Sequence, residues 1–526
     1  MWKAIVVGLA AAGTAPAAFG QQCVFRSTAA DEYFAGDSAP QDLFGIAIDV
    51  DGDACIVGAN GKDFIGGGPV LNAAGAAYVF RGAGSPVTWT EQQKLLPTTS
   101  VADALFGVSV AIQGDVAVVG ATRDNTGVPV SGAAYVFRFD SVTGTWSEEQ
   151  KLQASDAGPL DRFGTAVAID GDVIVVGAYQ WDGAATDQGA AYVFRYNSTS
   201  WVEEDILSAS APGQDDLFGI DVAVSGDVIA VSSSWDDPAG SLSGSAWMFR
   251  YDAPNMDWVE EQMLVGSNTG AGDQFGTSLA LDGDLVVIGS PFADTGGVTD
   301  SGGAYAFRYD PALTTWAEEA ELAPDIPLLG SAFGSSIALE QPLIGIGAGL
   351  DTYAGQSDAG AGYVFRDVQF GANAPRWTQV FRTETHDPED QQHFAHFDAV
   401  GISGANFVAG ALRDDSAGPN AGSFYAYEVP PVALAVNDNV WEQGDFIEIT
   451  TCGGVHDGST GAPVSLFADP PLTHITSGLF DFDEGWWRIS GTLVDPVNPA
   501  SIFLQSYTID VSGTLILSNR VSVTLQ

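Results

Sequence analysis

Residues 163–178, FGTAVAIDGDVIVVGA, decide the fold. Two apolar runs flank Asp170-Gly171, a dipeptide that favours a two-residue hairpin turn because both positions tolerate positive φ. Gly189 then opens a third run, GAAYVFR, and Trp201 opens a fourth, WVEEDIL. The unit therefore predicts four consecutive antiparallel strands, which we letter A to D.

The same unit recurs along most of the chain. Its Phe-Gly dipeptide returns every 55 to 62 residues, at Phe44, Phe106, Phe163, Phe218, Phe275 and Phe333, with a degraded seventh copy at Phe394-Ala395. Within strand A, positions four and six residues after the phenylalanine are large, such as Val167, whereas those three and five after it are small, such as Ala166. This asymmetry suits sheets packed face to face around an axis, so we expect a seven-bladed β-propeller.

The repeated residues resemble the FG-GAP repeats of integrin α-chain propellers, and more closely the bacterial variant of that repeat. The pattern that carries the resemblance is Phe-Gly, then Val-Gly-Ala, then Gly-Ala-Ala-Tyr-Val-Phe-Arg, and it extends from Phe44 to Val429. The resemblance implies a propeller fold. It indicates no particular ligand, because propellers serve adhesion, ligand binding and catalysis alike.

We expect an all-β chain with three parts. Residues 1–20 are typical of a secretory signal peptide, because Lys3 precedes a short apolar run that ends in small residues. Residues 21–429 form the propeller, and residues 22–28 are expected to supply the missing fourth strand of the last blade and so close the ring. Residues 430–526 hold short alternating strands and predict a small immunoglobulin-like β-sandwich.

The net charge excludes two classes of partner. The chain has 18 Lys and Arg against 67 Asp and Glu, a formal charge of −49, although 46% of it is hydrophobic. Nucleic acids and anionic membrane surfaces both require clustered basic residues, so neither is expected to bind. With the predicted signal peptide, this composition indicates a secreted or cell-surface protein that does not span a membrane.

Several repeated or isolated residues have an architectural interpretation. Arginines close strand C in six blades, and acidic pairs begin strand D nearby, so cross-strand ion pairs are expected. The tryptophans that open strand D are expected to pack inside. Cys55 lies in an apolar strand and is interpreted as a buried free thiol, whereas spacing alone does not decide whether any two of Cys23, Cys55 and Cys452 form a disulfide.

The B–C loops are the candidate binding site. Each of them carries an acid near its start, namely Asp63, Asp124, Asp182, Asp236 with Asp237, Asp294, Asp351, and Asp414 with Asp415. Two interpretations stay open: the acids cap turns through their own backbone, or they form a ring that binds a cation or a glycan, with Trp181 and Trp235 as stacking surfaces. The predicted ligand-binding residues are Trp181, Asp182, Trp235, Asp236, Asp237, Phe292, Asp294, Asp351, Tyr353 and Asp414.

Metal sites are the weaker alternative. Residues 49–53, DVDGD, resemble part of an integrin calcium loop, but their spacing matches the two-residue A–B turns of the other blades. Such a turn is too short to wrap the six to eight oxygens that Ca²⁺ requires, so a capped turn is favoured over Ca²⁺. His386, His393 and His396 lie close together and suggest either a transition-metal site or a solvated connection.

The sequence contains none of the short catalytic motifs for serine hydrolases, nucleotide binding or zinc proteases. We therefore expect a secreted, non-catalytic binding or adhesion protein whose B–C loop face contacts an extracellular glycan or protein. The alternatives are an extracellular polysaccharide hydrolase or lyase that uses the same face, and a purely structural envelope protein. The oligomeric state is not predicted.

Overall fold

The computed structural model describes residues 31–429 except 65–69, 85–86, 126, 353–356, 368–376, 384–393 and 396–398, together with the backbone of a few strands outside that range. The chain divides into two compact units. One comprises Arg26–Asp367 and Phe381–Val429, and the other comprises Met1–Phe25, Val368–Val380 and Pro430–Gln526.

Seven antiparallel sheets form the seven blades of a β-propeller, as the repeat predicts. Strands A to D are Phe44–Asp51, Ala54–Ala59, Ala76–Ala83 and Thr88–Leu95 in blade 1, and Val110–Gln113, Val116–Ala121, Ala133–Asp140 and Thr145–Leu152 in blade 2. Blade 3 has Val167–Asp170, Val173–Ala178, Ala190–Tyr196 and Trp201–Leu207, and blade 4 has Val222–Ser225, Val228–Ser233, Ser245–Asp252 and Asp257–Leu264. Blade 5 has Leu279–Asp282, Leu285–Ser290, Gly303–Asp310 and Thr315–Leu322, with a 3-10 turn at Thr295–Gly297 in its B–C loop. Blade 6 has Phe333–Glu340, Leu343–Ala348, Ala361–Asp367 and Trp377–Thr383.

Blade 7 is closed by an N-terminal strand, but residues 22–28 are not that strand. Its sheet consists of Val400–Ser403, Asn406–Ala411, Ser423–Glu428 and Asp31–Tyr33, with Glu32 opposite Tyr425. The ring of Tyr33 stacks on that of Phe424, with centroids 4.9 Å apart. Phe25–Ser27 is instead a strand of the blade 6 sheet. The closing strand is therefore the one whose aromatic side chain fits the face of the last blade.

The apolar core lies between neighbouring blades. One buried cluster combines Ala111 and Val118 of blade 2 with Val167 and Ile174 of blade 3. Another combines Val408 and Phe424 of blade 7 with Phe44 and Val57 of blade 1. Within strand A, the small Ala111 of blade 2 shares its cluster with the large Val167 of blade 3, and Ala166 of blade 3 shares one with Val222 of blade 4, as the alternation predicts.

The Phe-Gly dipeptide is needed where one blade meets the next. All seven phenylalanines are buried, and each donates its backbone N–H to a carbonyl of the preceding B–C loop at 2.8–3.1 Å. In six blades the next residue is a glycine with φ near +90°, and in blade 7 it is Ala395, with φ 55°. A Cβ on Gly164 would lie 2.3 Å from the carbonyl oxygen of Ala133, so only glycine allows this approach of two backbones.

The remaining unit contains backbone strands outside the propeller. Val7–Gly8 pairs with Ser465–Leu466, and His474–Asp483, Trp486–Val494, Ser501–Ile509 and Leu515–Ile516 form one antiparallel sheet. The immunoglobulin-like sandwich stays a prediction. None of the helices found in the described residues has the length and apolar character to cross a bilayer.

Candidate functional site

The B–C and D–A loops lie on the same face of the propeller, which we call the loop face. Each B–C loop is hydrogen-bonded to the D–A loop that leads into the next blade. Between blades 3 and 4, for example, the N–H groups of Asp215 and Phe218 donate to the carbonyls of Thr186 and Gln188 at 3.0 and 2.9 Å. The loop face is therefore a continuous ring of fixed backbone rather than seven independent loops.

One group of loop acids caps the B–C loops. The carboxylates accept the backbone N–H of a residue five to ten positions later, and every one of those donors has φ between 43° and 55°. The pairs are Asp63 with Ala73, Asp182 with Asp187, Asp237 with Leu242, Asp294 with Asp300, and Asp415 with Asn420, at 2.6–3.0 Å. The acid holds the loop where it turns back towards strand C.

A second group of loop acids lies at one equivalent position and points inwards. Asp236 accepts the hydroxyl of Ser245 at 2.6 Å, and Asp351 accepts that of Tyr363 at 2.7 Å. Asp124 accepts the hydroxyl of Tyr135, and Asp414 accepts those of Ser423 and Tyr425 at 2.9 and 3.0 Å. Asp351 and Asp414 are 0% and 1% exposed, so they fasten strand C and do not reach a partner in solution.

The aromatic candidates differ in exposure. Trp235 is 42% exposed in the B–C loop of blade 4. Trp181 is half-buried against the apolar cluster of blade 3, and its indole N–H donates to Asp156 at 3.2 Å. Phe292 is also half-buried. Trp235 is therefore the aromatic side chain that the loop face presents most openly among these three.

Four of the predicted residues lie outside the residues that the structure describes. They are Tyr353, His386, His393 and His396. In the described part of the chain, no three or more His, Cys, Asp or Glu side chains are grouped so as to hold a metal ion.

Carboxylates crowd the loop face around blades 3 to 5. Burial raises the pKa of Asp161, and the charges of Asp156, Asp182 and Asp187 raise it further. The pKa of Asp187 is raised by burial and by the charges of Asp182 and Asp215. This part of the face therefore carries clustered negative charge.

The opposite face is closed by a ring of side chains that the sequence analysis did not find. The residue before each A–B turn accepts the backbone N–H of the corresponding turn in another blade. The seven hydrogen bonds are 2.6–3.0 Å long. Written with the side-chain acceptor first and the backbone donor second, they are Asp51–Gly114, Gln113–Gly171, Asp170–Gly226, Ser225–Gly283, Asp282–Gln341, Glu340–Gly404 and Ser403–Gly52. We call this set the turn ring. The sequence does contain a signal for the turn ring, because the residue immediately before the A–B turn is polar in all seven copies of the repeat.

The calcium-like stretch of blade 1 has three separate roles. Asp49 is half-buried and accepts the N–H groups of Val50 and Ile112 at 2.8 and 2.7 Å, and desolvation of its carboxylate raises its pKa to about 6. Asp51 belongs to the turn ring. Asp53 forms an ion pair with Arg81 at 2.9 Å. In the described contacts, the three carboxylates therefore bind three different sets of partners and do not converge on one point.

A central channel lies between the A strands. Its cavity measures about 390 Å³ and is lined by strand A residues of all seven blades, among them Ile48, Val110, Val167, Leu279 and Ile402. Asp49 and Asp221 each bind a backbone N–H of the next blade's strand A, at 2.7 Å. The two carboxylates thus join strands that have no direct backbone pairing.

The arginines and tryptophans are structural, as expected. Arg138 and Arg195 pair with Glu149 and Glu204 at 2.8 Å across strands C and D. The indole N–H of Trp201 donates to Glu149 of the preceding blade at 3.2 Å. Cys55 is a buried free thiol.

The comparisons with known proteins agree with this geometry. The family model for the FG-GAP repeat matches residues 32–80, 89–137, 146–194, 201–249 and 258–307. Comparison with curated proteins gives no match. Each matched repeat starts in strand D of one blade and ends in strand C of the next, and the first starts within Asp31–Tyr33, which closes blade 7. The five matches and the seven blades show that the chain is an FG-GAP repeat β-propeller protein.

Proposed function

We propose that this chain is an exported, non-catalytic binding protein whose loop face contacts an extracellular glycan or protein. The FG-GAP propeller fold indicates a binding or structural role, and FG-GAP repeats are typical of extracellular proteins. The observation that carries the proposal is the open position of Trp235 on a fixed loop.

The loop that carries Trp235 is held on both sides. Asp236 receives the hydroxyl of Ser245 at 2.6 Å, and its carbonyl accepts the N–H of Gly244 at 2.8 Å. Asp237 accepts the N–H of Leu242 at 2.6 Å. Because the loop is already ordered, ligand binding does not carry the conformational-entropy cost of fixing it.

The surroundings of Trp235 indicate the chemistry of the partner. Leu242, in the same loop, is 37% exposed, and the exposed carboxylate of Asp237 lies beside them. An indole face stacks on the apolar face of a sugar ring or on an apolar side chain, and a carboxylate accepts hydroxyl or ammonium groups. A hydroxyl-rich or cationic ligand with one apolar face fits this combination.

A screen of the full-length protein against immobilised extracellular glycans and matrix proteins tests the proposal. We expect at least one ligand to bind and to be recovered with its mass unchanged. Shortened or unsaturated products would support a hydrolase or lyase, and a complete lack of binding would support a structural role. Parallel screens with Ca²⁺ and with chelator show whether binding is cation-assisted.

A further inference from the structure

The strand that closes the propeller brings one of two carboxyl groups that contact the same tyrosine hydroxyl. Glu32 of Asp31–Tyr33 lies opposite Tyr425 in strand C of blade 7. The hydroxyl of Tyr425 is 3.0 Å from Glu32 Oε1 and 3.0 Å from Asp414 Oδ2. The two carboxyl groups therefore meet at one phenol, at the only place where the N-terminal strand of the ring pairs with strand C of the last blade.

Blades 1, 2 and 6 place a cation beside the strand C tyrosine, where blade 7 has Glu32. The residue opposite strand C at this position is Ile206 in blade 3, Met263 in blade 4 and Glu321 in blade 5. The strand D residue opposite the strand C tyrosine is Lys94 in blade 1 and Lys151 in blade 2. Lys94 binds Asp37 at 2.9 Å, and Lys151 binds Asp124 at 2.9 Å. Arg382 of blade 6 binds the equivalent Asp351 at 3.1 Å. These blades combine a tyrosine, a carboxylate and a cation, whereas the closing blade combines a tyrosine with two carboxyl groups.

Two carboxyl groups that contact the same phenol oxygen are stable when they share one proton, because two negative charges beside each other at a partly buried site repel each other. We propose that a proton shared by Glu32 and Asp414 fastens the N-terminal strand to blade 7, so that the ring is firmly closed in mildly acidic solution and loosens above neutral pH. The proton takes the place that a lysine or arginine occupies in blades 1, 2 and 6.

The electrostatics of the pair agree with this assignment. Burial, with the charge and hydrogen bond of Asp414, raises the pKa of Glu32 to about 7, against the lowering effect of Tyr425 and Ser423. Burial opposes ionisation of Asp414 too, but hydrogen bonds from Ser416, Glu32 and Ser423 lower its pKa overall. Glu32 is therefore the group that holds the proton.

The titratable groups around Glu32 come from three elements of the described chain. Asp414 faces it from the B–C loop of blade 7, Tyr425 and Tyr427 from strand C, and Asp31 and Tyr33 belong to its own strand. The strand is also tied to blade 1, because the N–H of Trp89 donates to the hydroxyl of Tyr33 at 3.2 Å. Loosening it would open the boundary between the last blade and the first.

The sign of the pH effect follows from the direction of the shift. In the unfolded chain Glu32 loses its proton near pH 4.5, whereas in the folded protein it keeps the proton to about pH 7. The folded state therefore binds more protons between these values, and the stability contributed by this contact falls as pH rises through that window.

Hydrogen–deuterium exchange on the full-length protein, normalised to intrinsic exchange rates, tests the proposal. Protection of peptides covering residues 31–33 and 424–428 is expected to fall about tenfold between pH 5.5 and 8.5. Glu32→Gln should keep protection constant, because its neutral amide still donates to Asp414. Glu32→Lys should stay protected at pH 8.5, because it recreates the ion pair of blades 1 and 2. Asp31→Asn, in the same strand, should behave as the wild type.

Three results would overturn the proposal. One is a wild-type protection that does not change with pH. Another is Glu32→Gln and Glu32→Lys losing protection as the wild type does. The third is an equal loss in peptides covering residues 133–152, where Lys151 supplies the charge, because the effect would then belong to the whole ring. If either variant fails to fold, the other and the blade 2 peptides still decide the question.

Discussion

Ser403 in blade 7 accepts a hydrogen bond from the backbone N–H of Gly52 in blade 1, at 3.0 Å. This contact joins residues 351 positions apart and completes the turn ring. The loop face is closed at the same boundary, where the N–H of Phe44 donates to the carbonyl of Ala421 at 3.0 Å. Both faces of the propeller are therefore continuous around the ring, which is why one blade's loops are fixed by its neighbours.

Asp170 is the turn-ring residue whose removal should cost most. It accepts the N–H of Gly226 at 2.6 Å and the side-chain amide of Gln113 at 2.7 Å. Asp170→Ala is expected to lower the free energy of unfolding by about 1–3 kcal/mol, because two hydrogen bonds are lost. Asp172→Ala is the matched control: its ion pair with Arg195 is exposed, so a change within about 0.5 kcal/mol is expected. Equal effects in urea unfolding would contradict a role for the turn ring.

Gly164 tests the explanation of the repeat motif. Gly164→Ala places a Cβ 2.3 Å from the carbonyl of Ala133, at φ +90°, and is expected to destabilise the protein by about 3 kcal/mol or more. Gly171→Ala also has positive φ, but nothing lies within 4 Å of its Cβ, so about 1 kcal/mol is expected. Thermal unfolding compares the two. If the Gly164 variant melted at the temperature of the Gly171 variant, close backbone approach would not explain the motif.

The half-buried carboxyl of Asp49 should make stability depend on pH. Its pKa is raised to about 6, so the folded state binds more protons between pH 3.8 and 6, and the stability due to this group falls as pH rises through that window. The melting temperature of the wild type minus that of Asp49→Asn should therefore fall between pH 4, where both side chains are neutral, and pH 7, where Asp49 is ionised. Asp51→Asn, at the end of the same strand, serves as control. A difference that does not change with pH would contradict a raised pKa of Asp49 in the folded protein.

The crowded loop acids should make the fold sensitive to salt. Raising NaCl from about 10 mM to about 500 mM shortens the screening length from about 30 Å to a few ångströms. With a formal charge of −49, the melting temperature is expected to rise over this range, because repulsion between carboxylates is screened. Choline chloride at equal ionic strength should give the same rise. A rise specific to Na⁺ would indicate ion binding instead of screening.

The fold was predictable because each blade repeats the same local chemistry. The A–B turn at Gly171 and Asp172, the alternation of Ala166 and Val167 and the returning Phe-Gly dipeptide all act within one repeat or between neighbours. The closing strand was predicted at residues 22–28 and lies at Asp31–Tyr33. A three-residue strand has too little pattern to be recognised, and its fit depends on Phe424 and Tyr425, nearly 400 positions away.

The site was less predictable for a related reason. Loop acids that look equivalent in the sequence separate into exposed caps such as Asp237 and buried acids such as Asp351. Which of the two a residue becomes depends on whether a hydroxyl such as that of Tyr363 lies within reach, and this is decided by three-dimensional packing. Trp181 and Trp235 diverge likewise, because only Trp181 has Asp156 as a hydrogen-bond partner among its described contacts.

The proposal that the loop face binds a ligand through Trp235 is tested most directly by comparing two variants of blade 4. Trp235 lies on the loop face, whereas Met256, which is 75% exposed, lies in the C–D turn on the opposite face. Both side chains are exposed, so neither Trp235→Ala nor Met256→Ala should change the melting temperature appreciably. Kd is measured by calorimetry against a ligand found in the screen. We predict that Trp235→Ala weakens binding at least about tenfold while Met256→Ala retains wild-type affinity; equal affinity of both variants and the wild type would contradict the account.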